Sequence, residues 1–300
     1  MSELGNNPKL WIGNFPFPRP EQHKHDRGHV AVVSGGLAST GAARLAVRGA
    51  LRAGAGLVTL ASPKDALIVN AAASLAVMVR KVEGAGEFSA FLVEKKINAV
   101  VLGPGVGVGQ AMRDLVFATL EGGAQVVLDA DALTSFAEDS APLFDAIKKR
   151  AAPVILTPHE GEFARLFKNK EKSKSDRALA AAKQSGAIVA LKGAGTLVAS
   201  PEGRAATATN APPWLATAGS GDVLAGMIAG LLAQGMPAFE AACAAVWLHG
   251  EAANVLGIGL ISEDLPEILP QIYQKLLAAS KGGARDLESL SAIRVGSGKR

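Results

Sequence analysis

The segment Thr217–Gly226 reads Thr-Ala-Gly-Ser-Gly-Asp-Val-Leu-Ala-Gly, and an apolar run continues from it to Leu232. The run predicts a helix that begins beside the two glycines. Glycines at a helix start let the backbone approach a ligand, and the first free N–H groups of the helix face that ligand with a partial positive charge. Asp222 stands at this start, where a bound anion repels its carboxylate unless the carboxylate takes up a proton or acts through a metal ion. The alternative interpretation is that Asp222 only caps the helix.

Composition restricts the classes of protein to which the chain can belong. It has 300 residues, 49% of them apolar and 34 of them glycine, which is enough for one large α/β domain or two small ones. No linker is long or polar enough to divide it, so we predict a single domain. Only 5% of the residues are aromatic, and much of the net charge of +4 comes from two segments typical of solvated surface, 168–174 and 281–300. We therefore expect no nucleic-acid binding.

The cysteine content and the first residues indicate the compartment. Cys243 is the single cysteine, so the chain cannot form an internal disulfide, as is typical of a reducing compartment. The N-terminal residues carry no apolar signal segment, and no apolar run is long enough to span a bilayer. We expect a cytoplasmic protein with no membrane interaction.

Six short apolar segments predict strands, and most of them end in a glycine turn or a polar side chain before a helical pattern. They are His29–Val33, Leu57–Leu60, Ala99–Leu102, Val126–Leu128, Val154–Leu156 and Ile188–Leu191. Parallel strands joined by right-handed crossovers bring these ends to one edge of a sheet. Because open α/β sheets bind ligands at that edge, we predict one site assembled from about five or six strand ends.

Other segments predict the remaining elements. Thr196–Ser200 and Arg204–Thr209 flank Pro-Glu-Gly and predict a β-hairpin. Helices are predicted at Ala42–Ala53, Ala66–Leu75, Ala238–Leu256 and Asp264–Ala279.

The chain ends differ in composition from the part between them. Residues 1–27 carry four prolines between Pro8 and Pro20 and predict an extended arm without helix or strand periodicity. The domain is expected to span residues 28–280, and the polar, glycine-rich residues 281–300 to form a flexible tail.

Several acidic and histidine side chains are candidates for a metal or ligand site. Asp129 and Asp131 follow a predicted strand, where they can hold a metal or a ribose, or cap the next helix; we favour capping for Asp131. For Asp129, magnesium binding and support of neighbouring ligands remain open. Three histidines lie near the N-terminus, His23, His25 and His29. They lack the cysteines and the spacing of a zinc site, so we predict no metal there.

His159 and Glu162 lie at the start of the helix after Pro158. No second zinc ligand follows at helical spacing, so His159 is either a substrate contact or a structural residue. Glu162 is either a capping-box acid for the turn of Thr157 or His159, or part of a phosphate–magnesium network.

Lys192 ends a buried strand, so its ammonium must meet an anion or a carboxylate. A nucleotide phosphate is one such partner, and the backbone N–H groups of residues 193–196 could complete its cradle. With a phosphate held there, Asp222 could deprotonate an attacking hydroxyl, while the helix start and Mg²⁺ stabilise the charge of the transferring phosphoryl group.

Besides Gly219–Gly226, the chain carries the motifs Gly28-His29, Ser34-Gly35-Gly36, Ser39-Thr40-Gly41-Ala42, Gly54-Ala55-Gly56-Leu57-Val58-Thr59, Gly103-Pro104-Gly105-Val106-Gly107, Thr157-Pro158-His159-Glu160-Gly161-Glu162 and Lys192-Gly193-Ala194-Gly195-Thr196. Gly219-Ser220-Gly221-Asp222 is similar to the anion-hole and base motif of the ribokinase-like superfamily, and the ordered set of motifs resembles the ADP-dependent NAD(P)H-hydrate dehydratases. The motifs occur in order from about Phe15 to Leu256. A single motif is moderately specific, whereas the ordered set is strongly so.

The resemblance implies a ribokinase-like, three-layer α/β/α fold with a central, mostly parallel sheet in a single domain. It also implies a lyase that dehydrates the S-epimer of NADHX or NADPHX to NADH or NADPH while ADP is converted to AMP and phosphate. By analogy, Asp222 activates the hydroxyl of the nicotinamide ring, which is phosphorylated and then lost by elimination. Mg²⁺ is the implied cofactor, with Asp129 and Glu162 as its candidate ligands, and ADP is the co-substrate.

The resemblance assigns the site residues by position. Ala42, Gly105 or Gly107, His159 and Asp222 match positions that contact the hydrate. The nucleotide-phosphate positions are matched by Lys192, Gly193, Ala194, Gly195, Thr196 and Gly221, with Gly219 and Ser220 beside them. In many bacteria an epimerase domain is fused in front of this domain, so we expect the NAD(P)HX epimerase as a functional partner and this chain to hold the dehydratase alone. A homotetramer is expected by the same analogy.

Two alternatives remain open. One is a ribokinase-like vitamin or thiazole kinase, which shares the chemistry of Asp222 but ends with a phosphorylated product. The other is a nucleotide-binding sensor whose catalytic site has decayed, which the presence of Lys192, His159 and Asp222 disfavours.

Overall fold

The computed structural model describes residues 3–168 and 173–282. They form a sheet of ten strands: β1 Leu4–Gly5, β2 His29–Val33, β3 Leu57–Ser62, β4 Met78–Lys81, β5 Ala99–Leu102, β6 Gln125–Leu128, β7 Val154–Leu156, β8 Ile188–Leu191, β9 Thr196–Ala199 and β10 Ala205–Ala208. Their order is β1-β10-β9-β8-β7-β6-β5-β2-β3-β4. All neighbouring pairs are parallel except the two that β9 makes with β8 and β10.

Eleven helices accompany this sheet within the described residues. They are α1 Thr40–Arg52, α2 Leu67–Ala72, α3 Gly84–Glu94, α4 Gln110–Leu120, α5 Asp131–Thr134, α6 Ala141–Lys148, α7 Glu160–Leu166, α8 Lys174–Ser185, α9 Ser220–Ala233, α10 Ala238–Leu256 and α11 Asp264–Gly282. No helix in the described ranges is both long enough and apolar enough to cross a membrane.

The two faces of the sheet are buried under different helices. Alternate residues of a strand point to opposite faces, and in β2 Val30 and Val32 pack with α1, α9, α10 and α11, whereas Ala31 and Val33 pack with the layer that contains α3, α4, α6 and α8. A sheet buried on both sides explains the continuous apolar runs of its strands. The predicted α/β/α arrangement around a mostly parallel sheet is confirmed.

The predicted strands agree with the structure within about two residues, and the hairpin forms as β9 and β10. The sequence analysis missed β4, an edge strand with exposed ends that pairs only with β3. Its residues do not form a continuous apolar run, because an edge strand is only partly covered.

The N-terminal segment differs from its prediction. Leu4 and Gly5 pair with Ala206 and Thr207 of β10, and short 3-10 turns follow at 8–10 and 12–14. Trp11 has no exposed surface, since its ring packs 5.7 Å from that of Trp247 on α10. The prediction of an extended arm without helix or strand periodicity is therefore wrong for residues 4–14. Prolines remove periodicity but do not prevent burial. The predicted tail lies outside the described residues from residue 283 onward.

Helices α1 and α9 approach so closely that glycine is required between them. A Cβ at Gly226 would lie 1.9 Å from the carbonyl oxygen of Ala46, and one at Gly230 would lie 2.6 Å from that of Ala50. Every residue of α9 from Val223 to Ala233 is buried. This contact fixes the helix that carries the Thr217–Gly226 motif against the sheet.

The Gly226→Ala variant tests this contact. We expect the free energy of unfolding to fall by about 1–3 kcal/mol, because the added methyl group must push α1 and α9 apart. Gly86→Ala is the matched control, since Gly86 lies in α3 and a Cβ there meets no atom within 4 Å. That change should be neutral or stabilise by about 0.5–1 kcal/mol. Urea unfolding of both variants measures the difference, and equal stabilities would contradict the close packing.

Candidate functional site

The turn before α9 places Asp222 in the first turn of the helix. The N-cap residue is Gly219 with φ 84°, and no side chain caps the helix. A Cβ at Gly219 would lie 2.4 Å from Leu45 Cδ1, so the left-handed turn and the close contact both favour glycine. The interpretation of Asp222 as a helix N-cap is therefore wrong.

Lys192 and Asp129 form a buried ion pair at the ends of β8 and β6. Lys192 Nζ lies 2.7 Å from Asp129 Oδ1 and 4.0 Å from Glu162 Oε2, and Asp129 is only 1% exposed. Burial lowers the pKa of Lys192, but the carboxylates of Asp129, Glu162 and Asp222 more than offset it, so the pKa is raised. The prediction that Lys192 meets an anion or a carboxylate is confirmed, and its direct partner is a carboxylate.

Asp222 faces this pair without joining it. Within the part of the chain that the structure describes, its carboxylate makes no hydrogen bond. Burial and the nearby charge of Asp129 raise the pKa of Asp222 from 3.8 to about 6, against the opposing effect of Lys192. A carboxylate with such a pKa is ionised at neutral pH and is a stronger base than an exposed one.

His159 caps α7 through one ring nitrogen only. Its Nδ1 accepts hydrogen bonds from the N–H groups of Gly161 and Glu162 at 2.9 and 3.1 Å, while Glu162 Oε2 accepts from the N–H of His159 at 2.8 Å. The capping box predicted for Glu162 is present, and its partner is His159. Because Nδ1 accepts, the neutral ring carries its proton on Nε2, and the side chain is 55% exposed. Nε2 lies 3.5 Å from Glu162 Oε1 without a hydrogen bond to it, so the structural role leaves this donor, beside a carboxylate, for a ligand.

Asp131 has a different role from the predicted one. Ala130, with φ 48°, precedes α5, and no side chain caps that helix. Instead, Asp131 Oδ2 accepts a 2.8 Å hydrogen bond from the N–H of Gly107. The capping role of Asp131 is therefore wrong, because the carboxylate supports the glycine loop after β5.

That loop meets the start of α1. A Cβ at Gly35 would lie 1.9 Å from the carbonyl oxygen of Gly105, and one at Gly105 would lie 3.2 Å from Ala42 Cβ. Ala42 and Gly105 are therefore neighbours, as expected if they line one ligand. Gly107 lies two residues further on, at the loop's contact with Asp131.

A cavity of about 660 Å³ opens beside the ion pair. It is lined by His159, Lys192, Gly193, Ala194, Thr196, Ala211, Pro212, Pro213, Leu215, Ala216, Thr217, Ser220, Gly221, Leu224 and His249. Most of the predicted nucleotide residues meet here, whereas Gly195, Gly219, Ala42, Gly105, Gly107 and Asp222 do not line this cavity. Its wall joins polar loop residues to the apolar surface of residues 211–215, as a base and a phosphate together require.

Two residues that the sequence analysis did not select belong to this region. His249 on α10 is buried, its Nε2 has no partner among residues 3–168 and 173–282, and burial lowers its pKa to about 4. Lys174, at the start of α8, donates a 2.6 Å hydrogen bond to the carbonyl oxygen of Gly195. The signal for His249 was a histidine inside an apolar, alanine-rich helix. Lys174 gave no signal, since the sequence analysis assigned the lysine-rich segment 168–174 to solvated surface.

The acidic residues fit a magnesium ion only in part. The described residues contain no group of three or more histidine, cysteine, aspartate or glutamate side chains that could hold a metal. Asp129 and Glu162 both lie beside Lys192. Since Mg²⁺ is often held by one or two carboxylates together with phosphate oxygens and water, this pair fits a metal that arrives with a nucleotide. His29 is hydrogen bonded to Thr59 Oγ1 at 2.8 Å, which gives it a partner other than a metal.

Comparisons with known proteins point to one family. A sequence model of the family described as NAD(P)H-hydrate dehydratase matches residues 30–272. The ADP-dependent (S)-NAD(P)H-hydrate dehydratase of Neisseria meningitidis is 39% identical over 249 residues, which cover 81% of each chain. The solved structure of an ADP/ATP-dependent NAD(P)H-hydrate dehydratase from Bacillus subtilis, co-crystallised with ATP and Mg²⁺, is 28% identical with a TM-score of 0.82, over 92% of this chain and 99% of that one.

A longer relative is also similar. The bifunctional NAD(P)H-hydrate repair enzyme of Moorella thermoacetica is 38% identical over 281 residues, which cover 87% of this chain and 52% of the relative. The chain thus spans about half the length of the bifunctional relatives that it matches.

The stability of Asp222→Asn should depend on pH. Because folding raises the pKa of Asp222 from 3.8 to about 6, its ionisation opposes folding fully above about pH 6 and not at all below about pH 3.8. The neutral asparagine should therefore make the protein more stable, by about 2 kcal/mol once partial exposure is allowed for, near pH 7.5. The gain should fade as the pH falls toward about 4. Urea unfolding near pH 7.5 and near pH 4 measures the gain at each pH. Asp145→Asn, at an exposed site on α6, is the control for the lost charge. A gain that is equal at both pH values would contradict the raised pKa.

Proposed function

The chain belongs to the NAD(P)H-hydrate dehydratase family, and we propose that Asp222 is the base with which it dehydrates the S-epimer of NADHX and NADPHX at the expense of ADP. The resemblance predicted from the motifs is confirmed, as is the ribokinase-like fold. The protein is an enzyme of the lyase class, since a dehydratase removes water without hydrolysing its substrate.

The observation that carries the proposal is the position of Asp222. Its carboxylate lies in the first turn of α9, with a pKa raised to about 6 and no hydrogen bond among the described residues. A helix start binds phosphate, so a carboxylate there serves chemistry better than binding. Because the carboxylate of Asp222 has no hydrogen bond within the described part of the chain, it is left to take a proton from a substrate.

The reaction that follows balances in two steps. Asp222 accepts the proton of the hydroxyl on the hydrated nicotinamide ring, and that oxygen takes the β-phosphoryl group of ADP, with AMP as the leaving group. The phosphate then leaves the ring with the C–O bonding electrons, a proton is lost from the neighbouring carbon, and NADH or NADPH results. The products are the reduced cofactor, AMP and phosphate, so the oxygen of the lost water ends in phosphate.

The surrounding residues position these groups. The first N–H groups of α9, near Ser220 and Gly221, face the charge that develops on the transferring group. The Nε2–H of His159 is available to the hydrate, and Ala42, Gly105 and Gly107 leave room for it. Residues 192–196 and Gly221 bind the nucleotide. Asp129 and Glu162 would hold Mg²⁺ together with the phosphates, and the ion would neutralise phosphate charge.

The context of the reaction follows from the same family. We expect an NAD(P)HX epimerase as the functional partner, a cytoplasmic location and a homotetramer. The bifunctional relatives support the epimerase, because their name describes repair of the same hydrates in one chain.

The experiment is an assay of purified protein with NADHX and either ADP or ATP. Return of the reduced-nicotinamide absorbance together with AMP supports the proposal. A phosphorylated vitamin or thiazole, with NADHX left unchanged, would instead establish the ribokinase-like kinase. Nucleotide binding without any turnover would indicate the decayed sensor.

Asp222→Ala tests the base. We expect kcat to fall by about 10²–10⁴, the range typical of a lost general base, while the dissociation constant for ADP changes little. Single-turnover kinetics and calorimetry measure these two quantities. His25→Ala, at an exposed residue of the N-terminal segment, serves as the control and should retain full turnover. Full turnover by Asp222→Ala would exclude this residue as the base.

The pH profile provides a second test. Since Asp222 must be ionised to accept a proton, kcat/KM should fall about tenfold for each pH unit below about 6. Circular dichroism over the same range checks that the protein stays folded. The residual activity of Asp222→Asn should lose this acid limb, and a variant that kept it would assign the limb to another group.

A further inference from the structure

The charge of Lys192 is already balanced before a nucleotide binds. Asp129 lies 2.7 Å and Glu162 4.0 Å from its ammonium group. Asp222 adds a third carboxylate whose charge acts on Lys192. An arriving nucleotide phosphate therefore meets more negative than positive charge at the inner end of the cavity. Another cation of the protein would help to attract it, in addition to the Mg²⁺ that would come with the nucleotide.

Lys174, at the start of α8, contacts the nucleotide loop. Its Nζ donates to the carbonyl oxygen of Gly195 at 2.6 Å and would stand 3.0 Å from a Cβ at Gly193. The side chain is half-buried, so its ammonium is held against the loop. Lys174 therefore contacts the loop of residues 193–195, of which Gly193 lines the nucleotide cavity.

The charge of Lys174 is not balanced by a close partner. No carboxylate within the described ranges forms an ion pair with it, and the nearby Glu160 is held by Arg177 through hydrogen bonds of 2.9 and 3.1 Å. The pKa of Lys174 is lowered, mainly by burial; the charge of Glu160 opposes this effect and that of Arg177 adds to it. A single hydrogen bond to a carbonyl leaves two of its three N–H donors for another acceptor.

We propose that Lys174 is a nucleotide-binding residue that places its positive charge against the phosphates of the nucleotide held by residues 192–196. This inference rests on the proposed function for the identity of the nucleotide. A lysine is suited to the task because it recognises phosphate as a compact charge on a flexible stem. Its bond to Gly195 fixes where that charge stands.

The competing explanation is that Lys174 only holds the loop in shape. The two roles differ in which ligands they affect. A lost charge weakens the binding of ADP and AMP but leaves adenosine unaffected, because adenosine has no phosphate. A distorted loop weakens all three ligands alike.

Calorimetry with AMP and with adenosine on Lys174→Met therefore decides between them. We expect the Kd for AMP to rise about tenfold, the loss typical of one charge-assisted hydrogen bond. The Kd for adenosine should stay within about twofold. Lys174→Arg should recover most of the AMP affinity, and Lys183→Met, an exposed lysine on the same helix, is the matched control. Steady-state kinetics should show a similar rise in KM for ADP with kcat within about threefold.

Two results would overturn the proposal. They are an unchanged Kd for AMP in Lys174→Met, and an equal weakening of AMP and adenosine. If Lys174→Met does not fold, the same measurements are made on Lys174→Gln, and the same results support or overturn the proposal. The binding measurements need no turnover, so they remain decisive even if the unmodified protein fails to convert NADHX, which would contradict the proposed function alone.

Discussion

The buried pair of Lys192 and Asp129 is the interaction on which the site depends. Neither charge could stand alone at such depth, because an unpaired buried ion costs several kcal/mol. Joined at 2.7 Å, the two side chains tie the end of β8 to the end of β6 across β7. The pair also sets the electrostatics nearby, since Asp129 raises and Lys192 lowers the pKa of Asp222. Burial remains the largest cause of the raised pKa of Asp222, and the two members of the pair act on it in opposite directions.

Rigid packing holds Asp222 in front of that pair. Helix α9 is buried along its length and meets α1 without room for a Cβ at Gly226. A helix fixed in this way positions its first turn well, and precise positions are what proton transfer requires. The left-handed Gly219 then turns the chain sharply into the helix.

The sequence was sufficient to predict the repeated buried strands of the sheet. Apolar strands such as Ala99–Leu102 and Val154–Leu156 were predicted to the residue, because a sheet buried on both faces produces continuous apolar runs. The polar residues that follow β6, β7 and β8, namely Asp129, His159 and Lys192, were correctly expected at one edge of the sheet. Partners were harder to predict: Asp131 binds a loop N–H, and Lys174 reaches Gly195 from another element. Such contacts depend on distances between segments far apart in sequence, which local patterns do not contain. The burial of Trp11 against Trp247 has the same origin.

The antiparallel direction of β9 has a consequence for how the loop before it can differ between related proteins. Most strand ends at this edge lead into a helix that packs on the sheet, so a change in their length would shift that helix. Residues 193–195 instead join β8 to an antiparallel neighbour, and both strands hold the loop. Insertions or replacements in it can alter the fit to a nucleotide while the crossover connections stay in place. The shape of this loop can therefore drift between related proteins without disturbing Asp222 on α9.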